Sequence, residues 1–291
     1  MSYLAALVLG VVQGLTEFLP ISSTAHVALA ARVLGLPDQG MAAYTAVIQL
    51  GTLIAVLAYF ARDLWQITVA TVGALLRPRD LGALLSPRAG EDPATAERNL
   101  RARLGMFIVL GTVPIGLCGV AFKKLIEHQL RSPAVMAGSL IVLALVLYVA
   151  ERVAQHRRGI DSLGLRDALV VGGAQALALI PGASRSGVTL TAGLLCGLRR
   201  DDAARFSFLL SVPAVLAAAV FEMKDAVRSP TLGQHGLGMV LVGTAAAFVV
   251  GYATIAWLMR FLRTRTTMPF VVYRLLVGAL LIVLVVTGVM K

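Results

Sequence analysis

The sequence predicts an all-α polytopic membrane protein, on the strength of its composition, its apolar spacing and two breaks in that spacing. Of 291 residues, 58% are hydrophobic and only 14% charged, whereas a soluble domain is about a quarter charged. Charge-free runs near the roughly 20 residues needed to cross a hydrocarbon core recur along the chain. Two other apolar regions are interrupted midway by proline and a cluster of polar side chains.

The spans follow in order. Residues 39–61, 104–122, 132–150 and 236–259 meet or nearly meet the spanning length. Residues 206–221 and 266–290 are spans by context, the second containing Arg274. The broken regions are 4–31, divided at Pro20, and 168–198, divided at Pro181-Gly182. Halves this short suit helices that enter the membrane, turn and leave on the same side. Such non-helical backbone is stable only where protein buries it or where it lines a wet cavity. The stretch 62–103 reads as a long, irregular, solvated loop.

The broken regions also match each other. Gly10, Gln13 and Leu15 followed by Pro20 and Ser22 parallel Gly172, Gln175 and Leu177 followed by Pro181 and Ser184. Gly105-Met106 and Gly238-Met239 open corresponding spans. The expectation is a single membrane domain, 1–291, of two inverted-topology repeats at about 1–150 and 165–291. Each holds a re-entrant helix hairpin plus three transmembrane helices. Interrupted segments at matching positions of two halves point to a binding site near the midplane.

Charge agrees with this topology. Setting aside Arg185 and Arg274, 17 of the remaining Lys and Arg fall on one side and seven on the other. The richer side is expected to be cytoplasmic, with both termini outside. The net charge of +11 therefore belongs to loops and does not indicate nucleic-acid binding. The N-terminal run has no basic flank or small-residue cleavage site, so it reads as mature protein. Cys118 and Cys196 are isolated in apolar stretches and read as packing residues.

The polar clusters carry the chemistry. An ionisable side chain at membrane depth costs about 2.5–3.5 kcal/mol on insertion scales, so it marks a functional position. In the second cluster, Pro181-Gly182 turn the chain into a helix that begins with Ser184, Arg185, Ser186 and Thr189. A helix N-terminus attracts anions, and a guanidinium adds a planar fork matched to phosphate oxygens. In the first cluster, Gln13 and Glu17 share a helix face, and Ser22, Ser23, Thr24 and His26 follow Pro20. A hydroxyl near an imidazole can serve as an activated nucleophile, and an imidazole can carry protons near neutral pH. A carboxylate beside a phosphate can hold a hard divalent cation. No Walker-type phosphate loop, dinucleotide loop, G-x-S-x-G elbow or zinc-type Cys/His cluster is present.

These segments resemble the bacterial undecaprenyl-diphosphatase (bacitracin-resistance) family of membrane lipid phosphatases. The resemblance rests on residues 13–26, 47–51 (Val-Ile-Gln-Leu-Gly), 181–189 and 206–213 (Phe-Ser-Phe-Leu-Leu-Ser-Val-Pro). It implies two interlocked inverted repeats, removal of the terminal phosphate from undecaprenyl diphosphate, and dependence on a divalent cation, Mg²⁺ or Ca²⁺. It also implies location in the bacterial cytoplasmic (inner) membrane, with the site facing outward. Family functional positions fall on Glu17, Ser23, His26, Ser184, Arg185 and Thr189. With Gln13 neutral, Glu17 supplies the carboxylate for a metal site shared with Gln13.

The expected assignments are therefore Glu17, Ser23, His26 and Arg185 for catalysis. Ser22, Thr24, Gly182, Ser184, Arg185, Ser186 and Thr189 are assigned to the phosphates. The expected partners are a polyprenyl diphosphate lipid and the bilayer; the oligomeric state is open, a homodimer included. The rival is a polyprenyl-phosphate flippase or anion transporter on the same repeats. It would need the arginine cradle, whereas the Glu17, Ser23 and His26 group is required only by hydrolysis.

Overall fold

A computed structural model describes residues 1–37, 40–76, 92–128, 130, 132–228 and 236–290. Asp38 and Gln39 at the head of the expected 39–61 span, the loop segment 77–91, Arg131 and Lys291 lie outside the described residues.

The described residues form an all-helical membrane protein. Five helices are long and apolar enough to cross a membrane, or six if one bent pair counts as a single span. The first broken region is α1 (Tyr3–Phe18) and α2 (Ser23–Val33). Ser2 caps α1 by accepting from the Ala5 N–H at 3.2 Å. The helix stops because Leu19 precedes proline and adopts extended backbone, ψ 142°, the conformation that a following proline ring imposes. The bent pair is α3 (Met41–Tyr59) and α4 (Ala61–Leu75), which meet at 75°.

Next come α5 (Pro93–Ala121), the short α6 (Lys123–His128) and α7 (Pro133–Val153). The second broken region is α8 (Leu165–Ala176), a 3₁₀ turn at Leu177–Leu179, and α9 (Arg185–Leu195). Three long helices finish the chain: α10 (Arg200–Arg228), α11 (Leu237–Thr264) and α12 (Met268–Val286).

The expected irregular loop at 62–103 is largely helical at both ends. Ile67 and Ala70 of α4 are buried, and Thr71 of α4 packs on Gly105 of α5. At the other end Asp92 caps α5, accepting from the Ala94 and Thr95 N–H groups at 3.1 Å each, while Pro93 sits where its missing donor is harmless. Arg62, Glu97 and Arg98 are exposed on these helices, as is Asp92 at the α5 cap, and the other charges of the stretch either are half-buried there or fall at 77–91.

Each broken region leans on a long helix from the other half of the chain. A Cβ on Gly10 of α1 would lie 2.2 Å from the Gly243 carbonyl of α11, and one on Gly14 2.8 Å from the Gly251 nitrogen. A Cβ on Gly172 of α8 would lie 2.3 Å from the Gly111 carbonyl of α5. Only glycine permits these backbone approaches, the means by which helices pack closely in lipid. Between the halves, α3 packs on α10 and α7 on α12.

The largest core cluster lies beneath the two breaks. Phe18, beside Glu17, meets the Phe208 ring edge-on at 5.5 Å between centroids, and Phe60 at the α3–α4 bend approaches the same ring at 6.2 Å. Farther off, Glu151 joins three helix ends, paired with Arg200 and accepting from Thr267 Oγ1 at 2.8 Å.

Gly172→Val forces α8 away from α5. It should cost about 1–3 kcal/mol, the usual range for overpacking, read as a lower Tm of the detergent-solubilised protein.

Candidate active site

Both breaks are built by the same unusual backbone. Ser22 and Ser184, the residues that start α2 and α9, have φ/ψ of 75°/99° and 67°/108°. Positive φ is uncommon for residues with side chains and costs of order 1–3 kcal/mol. The strain is held by polar contacts on every side.

Arg274 supplies the central contact. It lies in α12 with no exposed surface. Its Nη1 donates to the Pro20 carbonyl of the first turn at 3.3 Å. Nη2 donates to the Ala183 carbonyl of the second turn at 3.0 Å, and Nε to Leu140 of α7 at 3.3 Å. Gly187 leaves the room this requires, since a Cβ there would sit 2.6 Å from Arg274 Nη1. Ser139 of α7 holds the second turn from behind, its Oγ donating to the Pro181 carbonyl at 2.6 Å. Gly182, at φ +90°, passes so close that a Cβ would lie 2.2 Å from that Oγ.

The turns also touch directly. Ser186 Oγ donates to the Leu19 carbonyl at 3.0 Å and lies 3.2 Å from Ser184 Oγ. Ser184 Oγ accepts from the Gly187 N–H at 3.2 Å, so it is the cap of α9. Above this backbone contact, Arg185 pairs with Glu17. Both side chains are mostly buried, 17% and 9% exposed.

Glu17 is the hub of the polar group. Oε2 accepts from Gln13 Nε2 at 2.9 Å and from Ser23 Oγ at 2.7 Å. Oε1 takes Arg185 and a longer bond from Gln49 Nε2 at 3.4 Å. The Ser23 hydroxyl therefore has a carboxylate as its neighbour. His26 has other partners. Its Nδ1 is 2.7 Å from the Ser22 carbonyl and its Nε2 2.8 Å from Tyr273 Oη. The two rings stack at 5.4 Å with an interplanar angle of 11°.

Gln13, Glu17, Ser23, Ser184, Arg185 and Ser186 are thus brought together, with Ser22 and Gly182 forming the backbone around them. Thr24 is exposed at the start of α2. Thr189 is fully buried, its hydroxyl bonded to the Arg185 carbonyl at 2.7 Å and to Ser207 Oγ. It supports the first turn of α9 from within. Three participants escaped the sequence reading: Gln49, Tyr273 and Arg274. Arg274 carried a signal, a charge inside an apolar span. Tyr273 and Gln49 carried none, since an aromatic or an amide in a span is ordinary.

The residues that could hold a cation here are Gln13 and Glu17. Gln13 is 1% exposed, and its Oε1 has no hydrogen-bond donor in the protein. That acceptor lies on the side chain whose Nε2 bonds Glu17, and amide and carboxylate oxygens are donors that hard divalent ions take; both Glu17 oxygens are at present bonded to Arg185, Gln13, Ser23 and Gln49.

Among known proteins, the family model described as "Bacitracin resistance protein BacA" matches residues 6–280. An undecaprenyl-diphosphatase of Myxococcus xanthus is 51% identical, over 99% of this chain and 91% of the relative. One from a Nocardioides species is 49% identical over 99% and 98%, and one from Chlorobaculum tepidum is 46% identical over 99% of both chains.

Arg274→Met strands one carbonyl at each break, those of Pro20 and Ala183, and removes the bond to Leu140 of α7. Unpaired buried groups cost about 1–3 kcal/mol each, so thermal unfolding in detergent should show at least one such loss, with Arg274→Lys intermediate.

Proposed function

This chain belongs to the bacitracin resistance protein BacA family, and from that membership we propose that it hydrolyses undecaprenyl diphosphate to undecaprenyl phosphate and inorganic phosphate. The observation that carries the reading is the meeting of Glu17, Ser23 and Arg185 at the contact between the two turns. A guanidinium, a helix N-terminus and a hydroxyl held against a carboxylate meet the needs of phosphoryl transfer, which depends mainly on positioning and charge stabilisation.

The two halves are inverted repeats and the two broken regions re-entrant hairpins. The paired backbone of Ser22 and Ser184 and the reciprocal glycine contacts support this reading. The excess of Lys and Arg on one side makes that side cytoplasmic and turns the site toward the outer face. There the diphosphate enters between the turns, with its polyprenyl tail in lipid.

Arg185 exchanges Glu17 for the terminal phosphate, assisted by N–H groups at the start of α9 and by Ser184. Ser23 Oγ attacks the terminal phosphorus and gives its proton to Glu17. The anhydride P–O bond breaks with its electron pair on undecaprenyl phosphate, an anion that leaves without protonation. Water then attacks the phosphoserine and passes its proton to His26, and Ser23 recovers its own from Glu17. The Gln13 amide oxygen and the Glu17 oxygen not bonded to Ser23 would hold Mg²⁺ or Ca²⁺, whose positive charge would offset the negative charge of the phosphate oxygens.

The test uses purified protein in detergent, where no compartments exist and transport releases nothing. Free phosphate should appear from a polyprenyl diphosphate, fall on chelation and return with Mg²⁺ or Ca²⁺. Arg185→Ala should lower kcat about 10²–10³-fold, the scale for losing one donor to a developing phosphate charge. Full activity in a folded Arg185→Ala protein sinks the assignment. Acid-quenched enzyme should carry phosphate on Ser23; its absence during turnover would favour direct attack by water.

A further inference from the structure

We propose that Tyr273 is the positioning residue for His26: its ring fixes the imidazole plane and its hydroxyl holds Nε2 as a proton acceptor. The inference rests on the hydrolytic reading above, because it assigns a task to the histidine within that reaction.

The hydrogen-bond directions follow from chemistry. A carbonyl can only accept, so the nitrogen 2.7 Å from the Ser22 carbonyl, Nδ1, carries a proton. In the neutral ring Nε2 then has the lone pair, and the Tyr273 hydroxyl at 2.8 Å donates to it. The Tyr273 ring lies nearly parallel to the imidazole, 5.4 Å away and 11° apart, and with both ring nitrogens hydrogen-bonded the imidazole plane is held. Which nitrogen of a histidine can take a proton is set by what the other one bonds. Here both nitrogens are specified, one by its own turn and one by a residue 247 positions away.

Tyr273 can do this because it cannot drift. The next residue along α12 is Arg274, fixed by three main-chain carbonyls. The same dipeptide therefore locks the two turns together and sets the ring beside one of them. Tyr273 is 42% exposed, so its hydroxyl can yield Nε2 to an incoming water. At metal sites, losing the outer hydrogen-bond partner that orients a histidine ligand costs about 10–100-fold, and orienting an imidazole is the same task here.

The experiment compares wild type, Tyr273→Phe, His26→Gln and the double variant, all purified in detergent. Tyr273→Phe keeps the stack and removes only the hydroxyl. In protein labelled with ¹⁵N-histidine, the His26 ring signals are assigned by their loss in His26→Gln. The Nε2 resonance of wild type should be that of a hydrogen-bonded acceptor and should move in Tyr273→Phe toward a free acceptor nitrogen. With polyprenyl diphosphate, Tyr273→Phe should lose about 10–100-fold in kcat with KM little changed. In the His26→Gln background it should change kcat less than about twofold, as expected of two residues acting as one unit. An unmoved Nε2 resonance overturns the assignment to Tyr273 alone. An equal loss with and without His26 overturns it too, and places the tyrosine in packing or at the lipid interface. Full activity of His26→Gln would instead overturn the role given to His26 above, and with it the positioning task.

Discussion

The fold turns on one buried guanidinium. Arg274 has no exposed surface, and its bonds to Pro20, Ala183 and Leu140 all run to main-chain carbonyls. At membrane depth a broken helix exposes backbone groups that water cannot satisfy, so protein must satisfy them. Arginine suits this task because its planar fork presents five donors in fixed directions. Removing the charge from water is costly, and the cost is offset only if both turns arrive where the fork can reach them. The guanidinium thus makes the two breaks conditional on each other.

From that constraint the site follows. With the turns pinned, Ser186 reaches the Leu19 carbonyl and Arg185 reaches Glu17. The opposite charges neutralise each other in a setting where either alone would be hard to keep. Every oxygen of Glu17 is oriented by a named donor, and the donors come from α1, α2, α3 and α9. A carboxylate held this way has a fixed geometry before any phosphate arrives, which is the condition for electrostatic preorganisation.

The two turns share a backbone conformation and differ in chemistry. Positions 10, 13 and 22 match 172, 175 and 184 in residue type, and Ser22 and Ser184 share their positive φ. One residue on, however, the first half has Ser23 and the second Arg185. Where α2 carries His26, α9 carries the buried, apolar Val188. Two similar turns form the cradle, and their different first helical residues place a hydroxyl and a guanidinium on the same carboxylate.

Composition and apolar periodicity determined the helical class, the breaks at Pro20 and Pro181-Gly182, and the polar residues of both turns. These are local properties: proline's missing donor, glycine's permitted φ and the expense of charge in lipid act wherever the residues lie. The partner of each group was a different matter. The proximity of Ser23 to Glu17, the engagement of His26 by Tyr273 and the burial of Thr189 against Ser207 depend on packing between distant segments. The helicity of 61–75 and 93–103 was likewise hidden, because apolar contacts between α4 and α5 override the charged look of the stretch. A chain can announce that a charge must be satisfied; only its folding decides which atoms satisfy it, because hydrogen bonds are fixed by distances and angles that a linear order does not contain.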